Sequence, residues 1–281
     1  MRTLVEELGR HPVHRMAAAL AFFALFGLPA LAVVLLVVGG AVFGDDAARS
    51  GLLQEVERQM GPEARATLGA VLDSTPRPGE GRLATQVLAA AVLLVGATAT
   101  FHELQGMLNA VWDAPRRRGW WRVLFLVVKR LLSFAMLVAS ALVVVAQLGL
   151  SAMLTAFPDG LARVLPSGVV PFVRGGLEIA VSLALMSVHF LVLFLWLPDA
   201  KVPWRSALLG ALSTAALFLA GKRLLVLYLE HANLATAFGA AGSLVVTLVW
   251  FYAAAYAVLA GAVLSRAHAR WRADLASPPS A

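Results

Sequence analysis

The sequence predicts an all-α integral membrane protein: a bundle of about six transmembrane helices, with two short amphipathic helices in the outer connection between the first two. Three observations carry this. Of 281 residues, 60% are hydrophobic and only 14% charged, with a mean hydropathy of +0.81, whereas a soluble domain carries about 25% charged residues. Long apolar runs recur six times along the chain. The basic residues gather in alternate connections between those runs. One membrane domain over 16–268 follows, between a cytoplasmic N-terminal segment, 1–15, and a cytoplasmic tail, 269–281.

The first run, Met16–Phe43, exceeds the roughly 7–15 residues of a signal-peptide core and reads as a retained span. Gly27 and Pro29 predict a kink within it, because Pro29 removes a backbone donor. The loop 44–82 follows and holds seven of the sixteen acids. Leu52, Leu53, Val56 and Met60 repeat at helical spacing up to the Gly61-Pro62 break, and Leu68, Val71 and Leu72 begin a second stripe. These are the two amphipathic helices, read as a cap over the outer face and closed by the turn-rich stretch at 75–79.

The remaining spans are Leu83–Trp112, Leu124–Phe157, Pro171–Leu197, Pro203–Leu229 and Phe238–Ser265. Backbone groups cannot stay unpaired in hydrocarbon, so each run is helical. Fourteen of the 23 basic residues fall in the N-terminal segment, the connections after spans two and four, and the tail, counting Lys129, Arg130, Arg205 and Arg266 at the adjoining span ends. That bias places both termini in the cytoplasm of a bacterial inner membrane. Trp112, Trp120, Trp121, Trp204 and Trp271 flank the same side, as interfacial anchors do.

Cysteine is absent, which removes disulfides, thiolate metal sites and a cysteine nucleophile from consideration. The formal charge of +7 and pI near 10.7 could suit nucleic acid. In a membrane chain the same surplus is a topology signal, and no nucleic-acid partner is expected.

Three stretches resemble the YihY/BrkB family, which also carries a ribonuclease BN-like label. Span one holds Ala17-Ala18-Ala19-Leu20-Ala21-Phe22-Phe23; span two ends Leu108-Asn109-Ala110-Val111-Trp112, similar to the family's L-N-x-[IV]-W signature. The third stretch runs from Val202-Pro203-Trp204-Arg205 through Gly221-Lys222, Tyr228, Phe238-Gly239, Trp250 and Tyr252 to Gly261. The resemblance covers roughly 11–268 and implies six helices. The chain departs from the family pattern in span one, where Gly27 takes a serine position and Pro29 comes one residue early. It departs again where Gly261-Ala262-Val263 stands in place of Gly-Ala-Glu.

Polar residues inside spans are costly and mark candidate sites. His102, Gln105 and Asn109 share one helix face, with Glu103 to the side. Lys222 and Arg223 lie near the outer end of span five, and Glu178 lies at matching depth in span four, so an ion pair between them would offset desolvation. Glu103, Asn109, Glu178, Lys222 and Arg223 are therefore the candidate substrate-binding residues. His189 reads as a satisfied interior histidine, and Gly239/Ser243 and Ala257/Gly261 read as close-packing pairs.

No catalytic residue, metal site or cofactor is expected: His102-Glu103 lacks the second histidine of H-E-x-x-H, and neither G-x-S-x-G nor a phosphate-binding loop occurs. The leading expectation is a transporter or lipid-handling protein whose partners are membrane lipids and an anionic lipid or small anionic substrate. A membrane-bound nuclease, as the family label implies, and a structural or assembly protein are the alternatives.

Overall fold

A computed structural model of the chain describes residues 9–74, 99–115, 135, 136, 138–147, 149, 170–232 and 242–276. Every element among them is helical: α1 (Val13–Phe43), α2 (Asp45–Met60), α3 (Pro62–Ser74), α4 (99–111), α5 (Val138–Gln147), α6 (Val170–Trp196), α7 (Trp204–Ala232) and α8 (Gly242–Ala276). Helix α1 begins immediately after Pro12, whose nitrogen has no hydrogen to leave unpaired. It stops at Gly44, which takes φ 85° and returns its N–H to the Gly40 carbonyl. Gly61, at φ 89°, makes the expected break between α2 and α3, and Pro62 then occupies the first helical position, where its fixed φ suits a helix start.

Three helices are long and apolar enough to cross a bilayer, over Gly175–Trp196, Trp204–Leu224 and Leu244–Leu275. The two halves of α1, Val13–Leu28 and Leu31–Phe43, meet at 56° and make a fourth crossing if they form one broken span. The break falls at the expected kink beside Pro29. Spans two and three, placed at Leu83–Trp112 and Leu124–Phe157, extend over 83–98, 124–134 and 150–157, which lie outside the described residues, so the count of six rests on those segments. Large apolar side chains face outward along the bundle, including Phe26, Phe172, Val188 and Leu224. Apolar exposure on this scale, along helices long enough to cross a bilayer, belongs to a surface solvated by lipid.

One boundary differs from expectation. Helix α8 continues past Ser265 to Ala276, so most of the supposed tail is helical. Nothing after Gly261 interrupts it; the stretch is built of alanine, arginine, leucine and other residues that tolerate a helix. The apolar stretch of α7 is described over Trp204–Leu224, and the helix itself runs on to Ala232, past the expected end at Leu229.

Helices α7 and α8 form an antiparallel pair; α1 packs on α8 and α6 on α7. The α7–α8 crossing is built from small residues, as Ala257/Gly261 suggested. A Cβ on Gly261 would sit 2.8 Å from the Gly210 carbonyl oxygen, and one on Gly210 would sit 2.8 Å from the Gly261 oxygen. Of the second expected pair, Gly239 and the Ser243 side chain lie outside what is described. A second buried cluster joins Ala32 and Leu35 of α1 to Leu52, Leu68 and Leu72 of α2 and α3. The amphipathic pair thus lays its apolar stripes onto the bundle, and Arg49–Asp73 and Arg65–Glu57 ion pairs tie its exposed sides together.

Candidate functional site

The densest set of polar contacts lies where α4 ends. Its last turn closes in a Schellman motif: Ala114 N–H bonds to the Asn109 carbonyl at 2.9 Å and Asp113 N–H to the Ala110 carbonyl at 3.4 Å. Asp113 occupies the left-handed position at φ 45°, where glycine is usual and aspartate tolerated. The carbonyl of Val111 has no helical partner at this end. It accepts a hydrogen bond from Nη1 of Arg266 on α8, while Nη2 of the same guanidinium bonds the Asp113 carboxylate. A cation at a helix C-terminus also meets the favourable end of the helix dipole.

One turn back, Asn109 grips the connection between α6 and α7. Its Nδ2 donates to Asp199 Oδ2 at 2.8 Å, and its Oδ1 accepts from the Asp199 backbone N–H at 2.7 Å. Gln105, one turn further, is buried and donates to the Leu197 carbonyl at 2.9 Å. Ser206 Oγ lies 3.0 Å from His268 Nδ1, joining the start of α7 to α8. Thr100 donates to the Phe23 carbonyl at 3.0 Å and fixes α4 to α1. Beneath these contacts Val13, Leu108, Val111, Leu197, Ala207 and Val263 pack as one core. The start of α1, the end of α4, the α6–α7 connection and the last third of α8 therefore meet at one end of the bundle.

The Asp113 carboxyl is held below its ordinary 3.8, chiefly by the hydrogen bond from Arg266. The positive charges of Arg266, His11 and Arg270 act in the same direction, and partial loss of hydration opposes them.

The expected polar face of α4 divides. Gln105 and Asn109 turn to the α6–α7 connection, whereas His102 is exposed and Glu103 half-buried. His189 lies within 3.4 Å of Ser140 Oγ on α5. Among the described residues, no three His, Asp or Glu side chains are grouped to hold a metal ion.

Lys222 and Arg223 lie elsewhere. Lys222 lines a cleft between α7 and α8 with Leu217, Phe218, Gly221, Trp250 and Ala253, while Arg223 is exposed. The cleft volume is ≈ 20 Å³, room for about one water molecule. Lys222 and Arg223 lie towards the C-terminal part of α7, which continues beyond them to Ala232. Glu178 is eighteen residues from Trp196 and Lys222 eighteen from Trp204; both are therefore about 27 Å along antiparallel neighbours from the α6–α7 connection. The fold brings Glu178 and Lys222 to one height and sets both far from Asn109. Neither Glu178 nor Lys222 is without a partner.

Sequence reasoning missed Asp113, Asp199 and Arg266. For Arg266 a signal existed: Leu259, Val263 and Arg266 follow at i, i+4 and i+7, which sets the arginine on the buried face of α8.

The profile of the family described as virulence factor BrkB matches residues 4–281. The chain is 27% identical over 266 residues to a UPF0761 membrane protein of Nitrosospira multiformis, covering 94% of this chain and 59% of that protein. It is 28% identical over 273 residues to one of Methylibium petroleiphilum, covering 94% and 61%. One of Verminephrobacter eiseniae is 32% identical over 175 residues, covering 62% and 39%. The chain thus spans about two-fifths to three-fifths of the length of these relatives. No solved structure matches.

Proposed function

The chain belongs to the virulence factor BrkB family, and from that membership we propose that it is a multi-pass protein of the bacterial inner membrane, N-in and C-in, that transports or handles an anionic or amphiphilic substrate. The observation that carries the reading is the C-terminal part of α7, where Lys222 lines a cleft walled by Phe218 and Trp250 and Arg223 is exposed beside it. At that height a phosphate or carboxylate meets two cations, Arg223 offering a two-pronged donor, while an apolar tail lies along Leu217 and Ala253. Glu178, at the same height, balances the cations when no substrate is bound. The orientation rests on the junction: the start of α1, the α6–α7 connection and the last third of α8 bring Arg10, Arg15, Lys201, Arg266, Arg270 and Arg272 to one end, which the positive-inside rule assigns to the cytoplasm.

The test is transbilayer movement of a fluorescent phosphatidylglycerol in liposomes containing the purified full chain, read by quenching from outside. Movement should exceed that of protein-free liposomes and fall at least tenfold in Lys222→Ala/Arg223→Ala inserted to the same density. Movement equal in both proteins would remove these residues from the function; movement equal to empty liposomes would remove lipid handling. The small cleft volume, ≈ 20 Å³, favours a second reading, a structural or assembly protein with no cargo, and that last result would support it.

A further inference from the structure

The dipeptide Trp-Arg occurs at the start of α7, as Trp204-Arg205, and near the end of α8, as Trp271-Arg272. The fold brings the two to one level. Ser206 and His268 are in contact at 3.0 Å and mark a common height on the two antiparallel helices. Trp204 is two residues beyond that mark and Trp271 three, which at 1.5 Å per residue is about 3 and 4.5 Å. The two indoles therefore share a level to within about 2 Å. Trp204 is 61% and Trp271 51% exposed, although a buried position within the helical bundle is the common fate of so large an apolar ring. Arg205 lies over the Trp204 ring, 5.4 Å from its centroid, and the His268 ring is 6.0 Å from that of Trp271. Lys201, Arg205, Arg270 and Arg272 are all exposed at this end. Of the nearby acids, Asp113 and Asp199 are bonded to Arg266 and Asn109, and Asp274 is exposed.

Exposed indoles at the level where an apolar span begins, each followed by an arginine, match the layered chemistry of a bilayer edge. Indole rings rest among carbonyls and headgroups, and guanidinium groups reach phosphate oxygens with paired donors. We propose that the two Trp-Arg pairs form a belt that binds phospholipid headgroups of the adjoining leaflet and prefers anionic ones. The preference comes from net positive charge at one level, because zwitterionic headgroups offer the same phosphate but an added cation. The belt is independent of the Lys222 cleft, which lies about 27 Å further along α7.

The experiment uses the full chain in nanodiscs with equal phosphatidylglycerol and phosphatidylcholine, and counts retained lipids by native mass spectrometry. The unaltered chain should retain phosphatidylglycerol severalfold over phosphatidylcholine. R205Q/R272Q should lower that ratio by roughly fivefold or more, from the usual worth of one basic residue near an anionic surface. R205K/R272K should keep most of it, which separates loss of charge from misfolding, and R49Q at the opposite end should leave it unchanged. Equal retention of both lipids by the unaltered chain, or an unchanged ratio in R205Q/R272Q, would overturn the proposal. So would a loss in R205K/R272K or R49Q as large as in R205Q/R272Q.

Discussion

Arg266 and Asp113 are 153 residues apart in sequence and joined in the fold, the guanidinium bonding at once the Asp113 carboxylate and the Val111 carbonyl. The arginine is buried and its carboxylate partner largely exposed, so the two ends of the contact differ in what their removal costs. Arg266→Ala strands a helix-terminal carbonyl in the core and should cost about 1–3 kcal/mol. Asp113→Asn keeps a side chain tolerant of the left-handed backbone and leaves Arg266 its carbonyl, so about 1 kcal/mol or less is expected. Thermal unfolding in detergent checks the order. Equal losses would mean that the carboxylate, not the carbonyl, anchors the arginine.

Acid should loosen the same contact. A carboxyl held below its ordinary 3.8 in the folded protein stabilises fully above that value, and its contribution disappears as pH falls through the lowered one. Stability attributable to Asp113 should therefore be flat between about pH 5 and 8 and decline below about pH 4. Asp113→Asn should flatten that part of the acid limb. Parallel acid limbs in the two proteins would show that other groups carry the decline.

The Asn109–Asp199 contact makes a charge-sensitive prediction. Asn109→Asp removes the amide donor and opposes two carboxylates, and should destabilise more than Asn109→Ala, by about 2 kcal/mol or more. Asn109→Asp/Asp199→Asn restores a donor facing an acceptor and should recover most of the loss. Additive losses in the double variant would place the energetic role of Asn109 elsewhere.

Gly261→Ala should be poorly tolerated, since its Cβ would come 1.8 Å from Thr214 Oγ1 and 2.8 Å from the Gly210 carbonyl. Overpacking of this kind costs about 1–3 kcal/mol. Thr214→Ala removes only the first conflict and should rescue the variant in part. Full rescue would imply that the backbones can separate without cost.

Much of this architecture was legible from residue pattern. Helix α6 falls within one residue of its expected bounds, because an apolar run ends at the polar connection after Trp196. The cap helices and their break at Gly61 followed from helical spacing on either side of a Gly-Pro pair. The junction was less legible, for a physical reason. Asn109 meets Asp199 ninety residues away, and no local period encodes which connection a helix end will touch. Arg266 was read as a topology charge because composition counts a basic residue without asking which helix face it occupies.

The glycine crossing of α7 and α8 has a mechanical consequence. At Gly210 and Gly261 the two backbones come close between the small side chains of Thr214 and Ser265, so the crossing can act as a pivot. Lys222 is twelve residues along α7 from that point and Trp250 eleven along α8, lever arms of about 18 and 16 Å. A rotation of about 5° at the fulcrum would move the tips by about 1.6 Å relative to one another, by the same rise per residue. A small angular adjustment at the crossing is thus magnified where the cations stand, and a cleft sized for a water could widen while the contacts at the crossing are kept.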